Sequence, residues 1–181
     1  NAGECTLMID GEGTSMIDRK TGEHRPSTFD DWLEATRVID ALDEFGVYWD
    51  MVERGDVEQS ISNAVKHWRY IFSSFSKHVQ DASPNAEFSS WLGEIIQAIF
   101  GDKETVRRTH PFSFIVCPQS PLEIEAQRTD AYLELLGWDI PIAVMPMPLM
   151  GGTGPGNMIS MTMLGNCEVL AMLCLIQAAD P

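Results

Sequence analysis

Apolar residues recur at helical spacing in the segment that follows Pro26, where they alternate with charged positions. This segment predicts a helix that is capped by Ser27 or Thr28 and ends near Glu44. Two acidic residues in its first turn favour the positive end of the helix dipole. Its apolar positions are Trp32, Leu33, Val38, Ile39 and Leu42.

From there the pattern alternates four times between a short apolar run and a helical stretch. The predicted strands are Val47–Val52, about Ser74–Val79, Phe112–Cys117 and Ile140–Met145, and the helices are about Val57–Phe72, Asn85–Phe100 (capped by Ser83 or Asn85), Ile124–Leu136 and Asn157–Ala178, with a short extra helix at 102–108. Successive strand-helix units predict an α/β fold with a parallel sheet and outer helices. Both an open doubly wound sheet and part of a (β/α)8 barrel, which needs roughly 250 residues, remain possible.

The first 26 residues have the pattern of a β-hairpin region. Thr6–Ile9 and Thr14–Asp18 are predicted strands joined across residues 10–13, and residues 19–23 have the composition of another tight turn. We therefore predict a hairpin region at 1–26 and a single, incomplete domain at 27–181.

Charge narrows the range of partners. The chain has 181 residues, with 12 Lys and Arg against 27 Asp and Glu, a net charge of −15. This field opposes binding to nucleic acid or an anionic membrane. The four cysteines form no CxxC pair, which favours a reducing compartment, and we expect a cytoplasmic protein.

The segment Met158–Ala179 is apolar enough to be mistaken for a membrane span. Asn166 and Glu168 lie near its middle, where an ionisable group costs roughly 2.5–3.5 kcal/mol to insert. We therefore expect a helix buried between a sheet and its neighbours.

Ligands of parallel α/β folds bind beyond the carboxyl ends of the strands. This rule selects Glu53 and Arg54 after the first predicted strand, and His78 and Asp81 after the second. His24 and His67 are expected at the surface. The sequence has no HExxH or paired Cys/His spacing, so no metal site is predicted. The predicted substrate-binding residues are Glu53, His78, Gln119, Met147, Gly151, Thr153, Asn157 and Glu168.

The loop at 145–157 is the most unusual stretch of the chain. Its glycines allow close approach to a ligand, and it leads into a helix N-terminus, so a binding module for an anionic small molecule is one hypothesis. It has no phosphate-binding fingerprint, and residues 129–181 contain no Lys or Arg. A plain turn whose methionines fill a core is the alternative. Glu168, on an apolar helix, either ties that helix to a neighbouring loop or faces a cavity.

Four motifs of this chain occur in an order that resembles the trimethylamine methyltransferase family. They are Thr21-Gly22-Glu23-His24-Arg25-Pro26, Ser120-Pro121-Leu122, Gly151-Gly152-Thr153-Gly154-Pro155 and Asn166-Cys167-Glu168-Val169-Leu170-Ala171. Asn157 stands where the family pattern has Thr, and Gly152 and Gly154 stand where it has Ala. These three departures are expected to alter the pocket.

The resemblance implies a TIM barrel, of which this chain would be a central portion of about four units. It further implies methyl transfer from a tertiary or quaternary amine to the Co(I) of a corrinoid carried by a separate protein, with no cofactor bound directly. Trimethylamine and glycine betaine stay open as donors, because pyrrolysine, which some members contain, is expected beyond Pro181. A homo-oligomer and a catalytically silent fragment also stay open.

Overall fold

The computed structural model describes residues 7–8 and 11–180. They form two compact units, the first ending at Asp81 and the second beginning at Ala82. The strands are β1 (Leu7–Met8), β2 (Ser15–Ile17), β3 (His24–Pro26), β4 (Phe45–Tyr48), β5 (His78–Asp81), β6 (Phe112–Val116) and β7 (Ile142–Val144). The helices are α1 (Phe29–Ala41), α2 (Ile61–Ser74), α3 (Ala86–Phe100), α4 (Lys103–Thr109), α5 (Ala126–Leu133) and α6 (Met158–Ala179).

In the first unit, β1 pairs with β4 and β4 pairs with β5, and both pairings are parallel. In the second unit, β6 and β7 are parallel, with Ile115 opposite Ala143. Each strand from β4 onward is followed by a helix. The predicted α/β class with parallel strands is therefore confirmed.

The predicted pairing of the N-terminal strands is wrong. β2 pairs antiparallel with β3, and β1 joins β4 instead of β2. The reason is the turn at 18–23, where the Asp18 carboxylate accepts from the backbone N–H groups of Lys20 and Thr21 and so closes the β2–β3 hairpin. Thr6, Ile9 and Asp10 of the predicted ribbon, and Cys5, lie outside the described residues.

Local capping explains where α1 begins. Thr28 accepts from the Asp31 N–H and the Asp31 side chain accepts from the Thr28 N–H, which completes a capping box. Arg25 of β3 holds the same Asp31 carboxylate with two hydrogen bonds of 2.6 and 2.7 Å. Hydrogen bonds from Arg25 lower the pKa of Asp31 well below its usual range. The hairpin is thereby fastened to the start of α1.

Each unit has its own core. Trp32, Tyr48 and Ile71 are fully buried in the first unit. All five residues of β6 are buried in the second, as expected of a central parallel strand. Ile96 and Met172 are buried in the same unit.

α6 differs from the prediction of a buried helix. Only Glu168 and Met172 are buried, because the helix packs along one side, and apolar residues such as Ile159 remain exposed. By length and composition alone, this is the one helix in residues 7–8 and 11–180 that could cross a membrane, which is weak evidence for a span.

Candidate functional site

A buried carboxylate, Asp50, lies just beyond the carboxyl end of β4. Its Oδ1 accepts from the Trp32 indole N–H at 2.9 Å and from the Tyr48 hydroxyl at 3.0 Å. The Tyr48 hydroxyl also lies 2.7 Å from the Thr36 hydroxyl. Burial raises the pKa of Tyr48 far above its usual value, so the phenol is neutral and Asp50 holds the negative charge.

Two basic side chains complete the surroundings of Asp50. Arg54 donates from Nη1 to Oδ2 at 2.6 Å, and its guanidinium lies 5.2 Å from the centroid of the Trp32 ring. The Nε2 atom of buried His67 lies 3.5 Å from Oδ1, which is an electrostatic contact and too long for a good hydrogen bond. Burial alone would raise the pKa of Asp50, but His67, Arg54 and the hydrogen bonds together lower it below its usual range.

Two more carboxylates at strand ends of the first unit accept from indole N–H groups. Asp81, the last residue of β5, accepts from Trp68 at 3.4 Å, and Glu12 accepts from Trp49 at 3.2 Å. Asp81 is half-buried and Glu12 is exposed. Negative charge and tryptophan side chains are thus paired near the carboxyl ends of β4 and β5, and both are components of sites for organic cations.

Backbone pairing fixes the loop that carries Asp50. The Glu12 N–H donates to the Asp50 carbonyl at 2.8 Å, and the Gly13 N–H donates to the Met51 carbonyl at 3.1 Å. A Cβ atom at Gly11 would lie 2.3 Å from the Met51 carbonyl oxygen, so no larger residue fits without backbone movement. The β1–β4 pairing therefore continues past the ends of both strands as a close backbone contact.

In the second unit, Glu168 of α6 holds the loop that follows β6. Its Oε2 accepts from the Ser120 hydroxyl at 2.9 Å, and its Oε1 accepts from the Leu122 N–H at 3.0 Å. Gln119 and Glu123 exchange two backbone hydrogen bonds of 2.9 Å within this loop. Glu168 is 2% exposed, and each of its two carboxylate oxygens accepts one hydrogen bond from the loop. Of the two alternatives for this residue, the contacts match the one in which it ties the helix to a neighbouring loop.

The Gly-rich loop closes on itself. The N–H groups of Gly152 and Gly154 donate to the Leu149 carbonyl, and the Gly151 N–H donates to the Gly154 carbonyl, all at 3.0 Å. Thr153 Oγ1 accepts from the Leu149 N–H at 2.9 Å. Gly151 has a φ of 76°, a backbone conformation that residues with a side chain adopt only with steric strain. These amides are therefore engaged inside the turn and are not aimed at a ligand.

The loop's departures from the family pattern differ in their surroundings. A Cβ atom at Gly152 would make ordinary contact with Leu149, at 3.4 Å. A Cβ atom at Gly154 would lie 2.6 Å from the thioether sulfur of Met161, so the Met161 side chain fills the space that an alanine would take. Asn157 caps α6 by accepting from the Ser160 N–H at 2.9 Å, a function that Thr also performs.

The other sequence-predicted residues are spread over both units. Three of them are exposed and lie in the loops where the sequence predicted them: Glu53 after β4, Gln119 after β6 and Met147 after β7. The placement of His78 after a strand is wrong, because α2 continues to Ser74 and β5 begins at His78. Substrate binding by all eight residues stays a prediction.

Sequence reasoning missed His67 and passed over Asp50. The predicted surface position of His67 is wrong, because it lies on the buried face of α2 with Trp68 and Ile71. Its spacing of four residues from Ile71 was the available signal. His24 is exposed as expected and contacts Ser15. Within the described part of the chain, no group of three or more His, Cys, Asp or Glu side chains could hold a metal ion.

Comparison with known proteins gives consistent matches over most of the chain. The family model described as trimethylamine methyltransferase matches residues 3–181. Trimethylamine methyltransferase MttB of Desulfitobacterium hafniense is 30% identical over 167 residues, which are 92% of this chain and 34% of that protein. MttB of Methanosarcina barkeri is 24% identical over 174 residues, 94% of this chain and 35% of that protein.

A relative that is named for a different substrate also matches. The glycine betaine methyltransferase of Desulfitobacterium hafniense is 21% identical over 182 residues, 99% of this chain and 37% of that protein. The chain spans about a third of the length of these curated relatives. With a family model that matches nearly every residue, this chain belongs to the trimethylamine methyltransferase family.

Proposed function

We propose that this chain is part of a methyltransferase that removes a methyl group from a tertiary or quaternary methylamine and passes it to the Co(I) of a corrinoid on a separate protein. The observation that carries the proposal is the family match over residues 3–181. The relatives are named for trimethylamine and for glycine betaine. The parallel strands are then part of a TIM barrel, as the resemblance implies.

The chemistry of the first unit supports a cationic substrate. A methylated ammonium group is bulky and lacks strong donors, so aromatic rings and carboxylates in a water-poor site hold it best. Asp81 with Trp68, and Glu12 with Trp49, bring a carboxylate and an indole together at the strand ends and are the candidate groups for this role. The net charge of −15 further favours a cation over an anion.

The chain's own residues position the substrate. A corrinoid on its carrier protein would supply the Co(I) nucleophile that accepts the methyl group, and the nitrogen of a quaternary or protonated ammonium would keep the electron pair of the broken C–N bond. Carboxylates near the amine stabilise its positive charge before transfer, and the fixed loops hold the methyl group for in-line attack.

The alternative of an anion-binding module on the Gly-rich loop has less support. The amides of Leu149, Gly151, Gly152 and Gly154 donate to acceptors inside the loop. The Ser160 N–H at the start of α6 is taken by Asn157. An anion there would have to displace these bonds. A cytoplasmic location, a corrinoid protein as partner and a homo-oligomer remain part of the proposal.

Isothermal titration of the full-length protein with trimethylamine, glycine betaine and inorganic phosphate separates the two functions. The proposal predicts saturable binding of at least one methylated amine and none of phosphate. Binding of phosphate alone would favour the anion module and contradict the proposal.

A further inference from the structure

Leu122 has an unusual backbone conformation for a leucine. It lies in the loop between β6 and α5, beyond the carboxyl end of β6, with a φ of 58°. A residue with a side chain is strained in this left-handed region, and glycine relieves the strain. Within residues 7–8 and 11–180, the other non-glycine residues with a positive φ are Glu12, His110 and Asp139. Those three are polar, so Leu122 is the one apolar side chain that the described part of the chain holds in this conformation.

Hydrogen bonds on both sides of Leu122 keep the strained backbone in place. The Leu122 N–H donates to Glu168 Oε1 at 3.0 Å, and the Ser120 hydroxyl donates to Oε2 at 2.9 Å. Gln119 and Glu123, which flank this segment, exchange two backbone hydrogen bonds of 2.9 Å. Such strain persists only where the surrounding structure fixes it, and it is concentrated at functional sites. The backbone of Leu122 is therefore held by its neighbours in a conformation that it would not adopt alone.

The Leu122 side chain gains little from packing among the described residues, because it is 67% exposed. An exposed leucine contributes little hydrophobic stabilisation, and its left-handed backbone costs free energy. A glycine at this position would therefore serve the fold of the second unit at least as well. Neither local conformation nor packing within this unit explains a leucine here, whereas a contact with a ligand does.

The loop after β7 lies near the loop that carries Leu122, since both contact one face of α6. A Cβ atom at Gly165 would lie 3.7 Å from the Pro146 ring, and Glu168, three residues further along α6, accepts from Leu122. Met147, which follows Pro146, is also exposed. The surroundings of Leu122 thus include a second apolar side chain that packing leaves uncovered.

The strand-end loops of the second unit carry no cationic side chain that could attract an anion. Residues 82–85, 117–125 and 145–157 contain no Lys or Arg, and their carboxylates are Glu123 and Glu125. A ligand that contacts Leu122 therefore presents an apolar surface and needs no positively charged partner. A methylated amine has both properties, because its methyl groups are apolar and its nitrogen is positively charged.

We propose that Leu122 contacts the N-methyl groups of the methyl donor and so determines how tightly the donor binds. This inference rests on the proposed function and names a residue that acts in it. Contact between the leucine side chain and the methyl groups removes apolar surface of both from water. Glu168 is then a positioning residue, because it holds the N–H of Leu122 and does not itself touch the donor.

The test compares variants of Leu122 in the full-length protein. Leu122→Gly removes both the strain and the apolar group, Leu122→Asn tolerates the same φ but is polar, and Leu122→Met keeps an apolar side chain. Asp139→Gly is the matched control, because it relieves the same kind of strain, at a φ of 56°, on the amino side of β7. Three quantities are measured: the dissociation constant of trimethylamine or glycine betaine by titration calorimetry, KM for the corrinoid protein in methyl transfer, and the unfolding temperature.

We expect Leu122→Gly to unfold at the temperature of the wild type or above it, while its dissociation constant for the donor rises at least about tenfold. Leu122→Asn should show the same rise, because its amide cannot replace the apolar contact. Leu122→Met should stay within about threefold of the wild type, since it conserves volume and apolar character. Asp139→Gly should unfold no lower than the wild type and should bind the donor equally well. KM for the corrinoid protein should be the same in all of them.

An unchanged dissociation constant for the donor in Leu122→Gly would overturn the inference. A lower unfolding temperature of this variant, or its failure to fold, would also overturn it, because another part of the enzyme would then cover the side chain. A higher KM for the corrinoid protein with unchanged donor binding would assign Leu122 to a protein contact instead. In each case the proposed function stands if the wild type transfers a methyl group. If the wild type binds no methylated amine and transfers no methyl group, the proposed function itself fails.

Discussion

Asp50 and Glu168 are both buried carboxylates near the carboxyl ends of parallel strands, but they are stabilised in different ways. Asp50 is surrounded by two basic side chains, an indole and a phenol. Among the residues that the structure describes, Glu168 has neutral donors alone, a hydroxyl and a backbone N–H. The first arrangement fixes a cation at a strand end, and the second fastens a helix to a loop. Burial of a carboxylate alone therefore does not identify a ligand site; its partners do.

Replacing Asp50 with Ala should have the largest effect on stability. The change leaves Trp32, Tyr48 and Arg54 without their acceptor in a buried setting. Breaking a buried charged pair in this way costs roughly 3–5 kcal/mol of the free energy of unfolding. Chemical denaturation of the full-length protein measures it. A loss near that of a surface pair, below about 1 kcal/mol, would contradict the account of Asp50.

The glycines of the two units should also respond differently to alanine. Gly11→Ala places a Cβ atom 2.3 Å from the Met51 carbonyl oxygen, which is backbone, and should cost about 1–3 kcal/mol. Gly154→Ala meets the end of the flexible Met161 side chain and should cost less. Gly156→Ala, with no atom within 4 Å, is the control. Equal losses at Gly11 and Gly154, measured by thermal unfolding, would show that the β1–β4 contact is not rigid.

Glu168→Gln should cost about 1 kcal/mol, since the Ser120 hydroxyl can turn and accept from the new amide while the remaining oxygen still accepts from Leu122. Glu168→Ala removes both acceptors and should cost more, about 1–3 kcal/mol. Denaturation of the two variants side by side checks this order. Equal losses would mean that the hydrogen bonds that Glu168→Gln can still make to the loop after β6 add nothing to the free energy of unfolding.

The charge of Asp50 should contribute its full stabilisation at neutral pH, and the wild type should lose this contribution only in acid. Its pKa is lowered in the folded state, so its stabilising contribution is complete above the unfolded value of about 3.9 and is lost as the pH falls through the folded value. Below about pH 4, the free energy of unfolding of the wild type should therefore fall more steeply than that of Asp50→Asn. Asp31, whose pKa is also lowered, is present in both proteins, so its contribution to the pH dependence is the same in both curves. Parallel curves would contradict the lowered pKa.

The α/β alternation and the N-caps of α1 and α3 could be predicted from the sequence because they depend on local patterns. Thr28 caps α1 and Asn85 caps α3, each as one of the two residues that the sequence offers. The strand that pairs with β1 could not be predicted, because a two-residue strand has too short a hydrophobic pattern to fix its pairing. The surface position predicted for His67 is wrong because the side chain is polar, while its place on the apolar face of α2 decides its burial.

The role of Glu168 was foreseen as one of two alternatives, and the structure distinguishes them through contacts with residues 46 and 48 positions earlier in the chain. Such long-range partners leave no local pattern. The burial of α6 was overestimated for a related reason. An apolar sequence predicts that a helix will be covered, but it does not say which part of the protein covers it.

Methyl transfer by the full-length protein is the most direct test of the proposed function. The protein is mixed with a reduced corrinoid protein and with trimethylamine or glycine betaine, and the loss of the donor's methyl group is followed by NMR. We expect one methyl group to leave at least one donor and to appear on the corrinoid protein. Donors that remain intact with every corrinoid protein offered, under conditions in which the enzyme is folded, would contradict the account.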